Sequence, residues 1–273
     1  VSIASYADPV AKLLTYGRGS VNRKDPWLDY VADAGLTSDD VPELIRMMLD
    51  PAFNELDSES SEVWAPIHAI RALGQLRAKE AIAPLIEVVA WEDDFIDSDL
   101  TRSLSLIGAE AIAPLMDLLH DPEKGEWAKS TAVRAIAAIP KHHPEAREEC
   151  VALLRTELRD LDHLDDVLMS SLVDQLVRLK APEAAPEIEQ AFATRKVDEF
   201  LTGSWAQVQV DLGLKQESDF TAAELRPEPP ESIKQIRQML NFLDNQSQSN
   251  PQGFGKAPSS SSTKKKKKKK KKK

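Results

Sequence analysis

Two segments of this chain are near copies of two others. Trp64-Ala-Pro-Ile-His-Ala-Ile-Arg-Ala-Leu73 returns as Trp127-Ala-Lys-Ser-Thr-Ala-Val-Arg-Ala-Ile136, with tryptophan, arginine and three alanines at the same offsets. Lys79-Glu-Ala-Ile-Ala-Pro-Leu-Ile86 returns as Ala109-Glu-Ala-Ile-Ala-Pro-Leu-Met116, and a weaker third copy reads Pro182-Glu-Ala-Ala-Pro-Glu-Ile188. The two motifs alternate, so each belongs to a different helix of one repeating pair. Such a pair cannot bury its apolar stripe alone and must stack on its neighbours, which makes a solenoid the expected architecture.

The periodicity places the helices. A-type helices are expected at 62–76, 97–107, 127–139 and 165–179, and B-type helices at 79–90, 109–120, 144–159 and 182–194. An earlier pair fits 25–34 and 38–49. Leu168, Leu172, Leu176 and Leu179 recur at helical spacing, and Ile112, Leu115, Met116 and Leu119 form a similar stripe. Hydrophobic residues make up 42% of the chain but aromatics only 5%, a balance that suits Ala/Leu-packed helices better than sheets. The predicted fold is all-α: a right-handed α-solenoid (HEAT/armadillo-like superhelix) over 1–214, whose likeness to HEAT proteins implies a concave binding face lined by the B-type helices. The texture then changes. Residues 203–214 read as a closing helix ended by Gly213, 215–230 as a linker, 231–244 as a short amphipathic helix, and 245–273 as a disordered tail.

Charge is segregated along the chain. Residues 264–273 are ten consecutive lysines, and the net charge is −10; with those lysines set aside, 25 basic residues face 45 acidic ones and the remainder carries −20. A run of adjacent cations attracts polyanions through counterion release. Lys264, Lys266, Lys268, Lys270 and Lys273 are therefore candidate contacts to RNA, a ribosome or an anionic membrane surface, while a solvated chain is the plain alternative. With no aromatic residue interleaved, base readout is not indicated. A single cysteine, Cys150, excludes an internal disulfide and points to a reducing compartment. No apolar run approaches the roughly 18 residues of a membrane span, and Val1–Tyr16 has no signal-peptide layout. The expected location is cytoplasmic.

The repeat residues resemble the HEAT-like repeats named after phycobilisome lyases, and more closely the domain-of-unknown-function family 1186. The resemblance is carried by Asp40-Val-Pro-Glu-Leu-Ile-Arg-Met47, Trp64 to Arg77, Ile107-Gly-Ala-Glu-Ala-Ile112, Val197-Asp198 and Gly203-Ser-Trp-Ala-Gln-Val-Gln209. Ser204 departs from it, since the family pattern has an acidic residue there. The cysteine-rich metal-binding tail of some members is missing here. The resemblance implies an all-α fold and brings no established activity.

Residues with chemistry in them are few. His142-His143 with Glu145, Glu148, Glu149 and Cys150 has no metal-ligand spacing and reads as an exposed turn. Glu92, Asp93, Asp94, Asp97 and Asp99 lack a calcium-loop pattern and read as a solvated acidic loop. Cys150 reads as a packing residue. Arg71 and Arg134 occupy equivalent repeat positions, where ion pairs between adjacent repeats are the first expectation and partner contacts the second. His68 reads as a structural histidine. No convergent acid–base or nucleophile set is found, so no catalytic residue, metal ligand or cofactor is assigned. The expected function is a non-catalytic protein-interaction scaffold. Its candidate partner contacts are Trp64, His68, Arg71, Trp127, Arg134, Ile233, Ile236, Leu240 and Leu243. The alternatives are an RNA-, ribosome- or anionic-surface-associated factor anchored by the lysine tail, and a bilin lyase/isomerase-like protein.

Overall fold

A computed structural model describes residues 5–18, 27–91, 95–194, 196–226, 234–235 and 239–240. The chain divides into Val1–Pro227 and Glu228–Lys273. The described residues form α-helices and 3-10 helices, with no strand among them. After α1 (Tyr30–Ala34) and α2 (Val41–Leu49) come three A–B pairs: α3 (Ala65–Gln75) with α4 (Ile82–Val89), α5 (Asp97–Ile107) with α6 (Ile112–His120), and α7 (Glu126–Ala138) with α8 (Arg147–Arg159). A fourth pair, α9 (Asp166–Arg178) with α10 (Ala185–Ala193), precedes the short helices α11 (Glu199–Thr202), α12 (Trp205–Asp211) and α13 (Ala222–Leu225). Within 203–214 the chain forms α12, Trp205–Asp211, and Gly213 takes a positive φ of 74° just past it.

The B-type helices share an opening that explains their sequence. Each begins with a 3-10 turn, at Lys79–Ala81, Ala109–Ala111, Pro144–Ala146 and Pro182–Ala184, before the α-helix proper. The last alanine of that turn is buried every time, and so is the residue four positions on: Leu85, Leu115, Cys150 and Ile188. Cys150 thus fills the leucine position of its repeat. Pro84 and Pro114 fall within the first four residues of their α-helices, whose N–H groups have no intrahelical acceptor, so proline loses nothing there. This register also corrects the third copy: Ala184 aligns with Ala81 and Ala111, which puts Pro186 one position before the repeat proline.

Helix ends are equally regular. After α3, Arg77 N–H donates to Gly74 C=O (3.0 Å) and Ala78 N–H to Leu73 C=O (3.1 Å). After α9, Lys180 N–H donates to Val177 C=O (2.9 Å) and Ala181 N–H to Leu176 C=O (3.2 Å). Arg77 and Lys180 adopt φ of 52° and 50° to make this paired closure, the geometry that turns a helix sharply into its partner.

Successive A-type helices pack on one another, α3 on α5, α5 on α7 and α7 on α9, while each B-type helix packs against the next A-type helix. Small residues allow the close approach. A Cβ built on Gly74 of α3 would lie 2.7 Å from the Ser103 Cα of α5, and the Ser103 hydroxyl donates to Ile70 C=O across the same contact at 2.8 Å. The apolar core is continuous from Val10 to Leu212.

Candidate functional site

Beneath the first A-type helices lies a buried polar network. His68 and Arg71, one turn apart on α3, are only 2% and 5% exposed. The His68 Nε2 lies 2.8 Å from Gly17 C=O, which can only accept, so Nε2 carries the proton. Its Nδ1 is then the acceptor for the Tyr30 hydroxyl at 2.7 Å. Burial lowers the His68 pKa, with Arg71 pushing the same way; the Gly17 carbonyl and Asp99 oppose it. Burial also pushes the Tyr30 phenol up to about 12. Arg71 forms a two-point pair with Asp99 of α5, Nε to Oδ1 at 2.9 Å and Nη2 to Oδ2 at 3.2 Å. Gln75 completes the node, accepting from Tyr30 N–H and donating to Leu28 C=O.

The equivalent Arg134 of α7 reaches back to the same helix from the other side. Its Nη2 donates to Asp97 Oδ1 at 2.8 Å and to the Thr131 hydroxyl at 2.7 Å. Both repeat arginines therefore bind α5, as inter-repeat ion pairs. Two sequence expectations change here. Asp97 and Asp99 belong to the first turn of α5, the helix expected at 97–107, and not to a solvated acidic loop, and Asp99 is buried in its ion pair. His68 and Arg71 are enclosed by the core, so their side chains do not present a contact surface to a partner. Glu92, Asp93 and Asp94 lie outside the described residues.

Two open grooves flank this node. The first, of about 620 Å³, runs between α5 and α7 and is lined by Asp97, Arg102, Trp127, Arg134, Lys141 and His142, with Val89, Leu100, Ala138 and several hydroxyls. Trp127 stands at its edge, 59% exposed. The second, of about 660 Å³, is more apolar and is lined by Met48, Ile67, Val88, Trp64, Trp91 and Phe95 among others. Trp64 packs on Phe95 with ring centroids 5.5 Å apart, and Trp91 and Phe95 are 51% and 47% exposed. The first groove opens on the A-type helices α5 and α7, while the second is lined by Pro66, Ile67 and Ile70 of α3 together with Met48 and Leu49 of α2 and Val88 of α4.

His142 and His143 are not an exposed turn. His143 Nε2 donates to Leu106 C=O at 3.1 Å, and its ring covers Gly108. His142 lines the first groove, its pKa lowered by partial burial and then by Lys141, Arg102, His143 and Arg77. Those groups come from three repeats, Arg77 just past α3, Arg102 in the middle of α5, and Lys141 and His143 just past α7, and no spacing rule joins them. No group of three or more His, Cys, Asp or Glu among the described residues is arranged to hold a metal ion, and no described helix is long and apolar enough to cross a membrane. Of the expected 231–244 helix only Lys234, Gln235, Met239 and Leu240 are described, each helical, with Leu240 exposed. Ile233, Ile236, Leu243 and the lysine run fall outside the described residues.

Ser204, the departure from the family pattern, has a clear task. Its hydroxyl accepts from Gln207 N–H at 3.1 Å, capping α12, and donates to Glu224 C=O. Serine is as good a cap as an acidic residue.

No solved structure matches the chain. Among curated proteins, the phycocyanobilin lyase subunit alpha of Synechococcus elongatus is 36% identical over 103 residues, which is 36% of this chain and 33% of that protein. The chain therefore matches about a third of that relative's length. The model of the family described as "Protein of unknown function (DUF1186)" matches residues 36–246. That span covers the A–B pairs and most of the chain, so this all-α repeat protein belongs to the DUF1186 family.

Proposed function

We propose that this chain is a non-catalytic protein-binding scaffold whose repeats recognise a protein partner through the two grooves. The observation that carries the reading is the exposure of Trp91, Phe95 and Trp127 at the groove edges. Large aromatic side chains left in water beside an open apolar groove mark a recognition surface. The charged residues at repeat-equivalent positions support it differently: Arg71 and Arg134 are engaged in holding adjacent helices together, which is structural work.

The test is affinity capture from the native lysate at low and high salt, with the full chain and a chain ending at Thr263. The reading expects a specific protein retained by both chains in high salt and lost on Trp91→Asp or Trp127→Asp. Capture of RNA, ribosomes or lipid by the full chain alone, released by salt, would replace it with anchoring through Lys264–Lys273. The lyase relative favours a second reading, in which the repeats bind a bilin or a bilin-carrying protein. A shift of bilin absorbance on mixing would support that reading.

A further inference from the structure

We propose that the groove between α5 and α7 takes an acidic peptide segment of the partner. Arg102, Lys141 and His142 hold its carboxylates, and Trp127 packs on its apolar side chains. This rests on the scaffold reading and names the chemistry of what the scaffold receives.

The charge balance of the lining points to an anion. Arg102, Arg134 and Lys141 are cations, against the one carboxylate of Asp97, and Asp97 is already engaged by Arg134 and Thr131. Among the described residues neither Arg102 nor Lys141 forms an ion pair, in a chain with 45 acidic residues to choose from. Arg102 is also held in place: its guanidinium lies 4.0 Å from the centroid of the Trp27 ring. A cation fixed on an aromatic face loses little freedom when an anion arrives. Arg77 acts on His142 in addition to Arg102 and Lys141, so a carboxylate there meets cations from three repeats. One further polar atom is unsatisfied: the Thr101 hydroxyl, in the lining, is buried without a hydrogen-bond partner among the described residues.

The size and texture of the groove select a peptide over a small anion. Val89, Leu100, Ala138 and Trp127 supply apolar lining beside the cations. Inorganic phosphate would occupy a small part of about 620 Å³ and leave that surface wet. A segment alternating acidic and apolar side chains satisfies both parts. A nucleic-acid strand carries its phosphates on past the groove, against a strongly acidic chain body, whereas a short peptide keeps its few carboxylates on the groove's own cations.

The experiment uses the full isotope-labelled chain and follows the indole N–H signal of Trp127, identified by its disappearance in Trp127→Phe. The probe is an acetylated hexapeptide alternating glutamate with leucine; a lysine–leucine hexapeptide and inorganic phosphate are the comparisons. The acidic peptide should shift the Trp127 signal saturably. Arg102→Glu and Lys141→Glu should each weaken that titration about tenfold, while Lys215→Glu, on an exposed position outside the lining, should not. Lys141 is at the surface, so its variant keeps the fold, which a melting curve verifies. The lysine tail is the same in every variant and cannot produce the difference. An unmoved Trp127 signal, or equal titration in wild type and Lys141→Glu, would overturn the proposal. So would phosphate shifting Trp127 at lower concentration than the peptide. If Trp127 stays silent while the repeats still capture a protein from lysate, the groove assignment falls and the scaffold reading stands.

Discussion

His68 shows how much a single buried side chain can determine. Its Nε2 faces a carbonyl, its Nδ1 faces the Tyr30 hydroxyl, and burial keeps it neutral. The sign of its pH effect follows. The folded pKa lies below the unfolded value of roughly 6.5, so its contribution to stability is complete above that value and declines as pH falls. Melting temperatures of wild type and His68→Gln from pH 5 to pH 8 check this: the wild-type advantage should shrink toward the acid end, and a constant or growing advantage would contradict it. Asp99 makes a second case. Asp99→Ala strips the buried carboxylate from Arg71 and should cost about 3–5 kcal/mol, the range for breaking a buried pair. Denaturant titration measures it. Replacing both partners, Arg71→Met with Asp99→Leu, should cost less than the two single changes combined.

At the scale of the helix, the repeat was legible because each element carries its own pattern. The apolar stripe and the proline motif are local, and they placed the helices of the four A–B pairs, with their 3-10 openings, within a residue or two of where they stand, while the earlier helix expected at 25–34 begins only at Tyr30. What was not legible is what two elements share. Arg71 and Arg134 occupy matching positions, yet nothing in their spacing said that both would reach for α5, one buried and one at a groove. Asp97 and Asp99 drew two readings, the start of the helix expected at 97–107 and an acidic loop with Glu92, Asp93 and Asp94; they open the helix. The cations around His142 gather from Arg77, Arg102 and Lys141, a cluster that only the stacking of repeats creates. Cys150 lies between these cases: its packing role was readable, but its equivalence to Leu85 and Leu115 needed the shared 3-10 opening. Burial raises its thiol to about 11, as suits a packing residue.

The contact between α3 and α5 yields a prediction of its own. Gly74→Ala gains about 1 kcal/mol of helix propensity, but its Cβ meets the Ser103 Cα at 2.7 Å. Backbone cannot step aside as a side chain can, so overpacking of about 1–3 kcal/mol wins. The variant should melt below wild type, and adding Ser103→Ala should not restore it, because the obstruction is the Cα.

Across the whole molecule, the scaffold reading proposed above has stability and recognition share the A-type helices and the segments beside them. Their small residues and the Arg71–Asp99 and Arg134–Asp97 pairs lock neighbours together. Trp127 stands exposed on α7 and Trp91 and Phe95 in the segment before α5, and Arg102 and Lys141 form no ion pair among the described residues. The central claim is that the repeats themselves are the binding surface. Its most direct test is photo-crosslinking in cells, with a photoreactive side chain placed at Trp91, at Trp127 or, as control, at Lys215, followed by mass spectrometry. The account predicts that one and the same protein is crosslinked from Trp91 and from Trp127 and not from Lys215. Crosslinks to nucleic acid or lipid, or no specific protein from either groove, would contradict it.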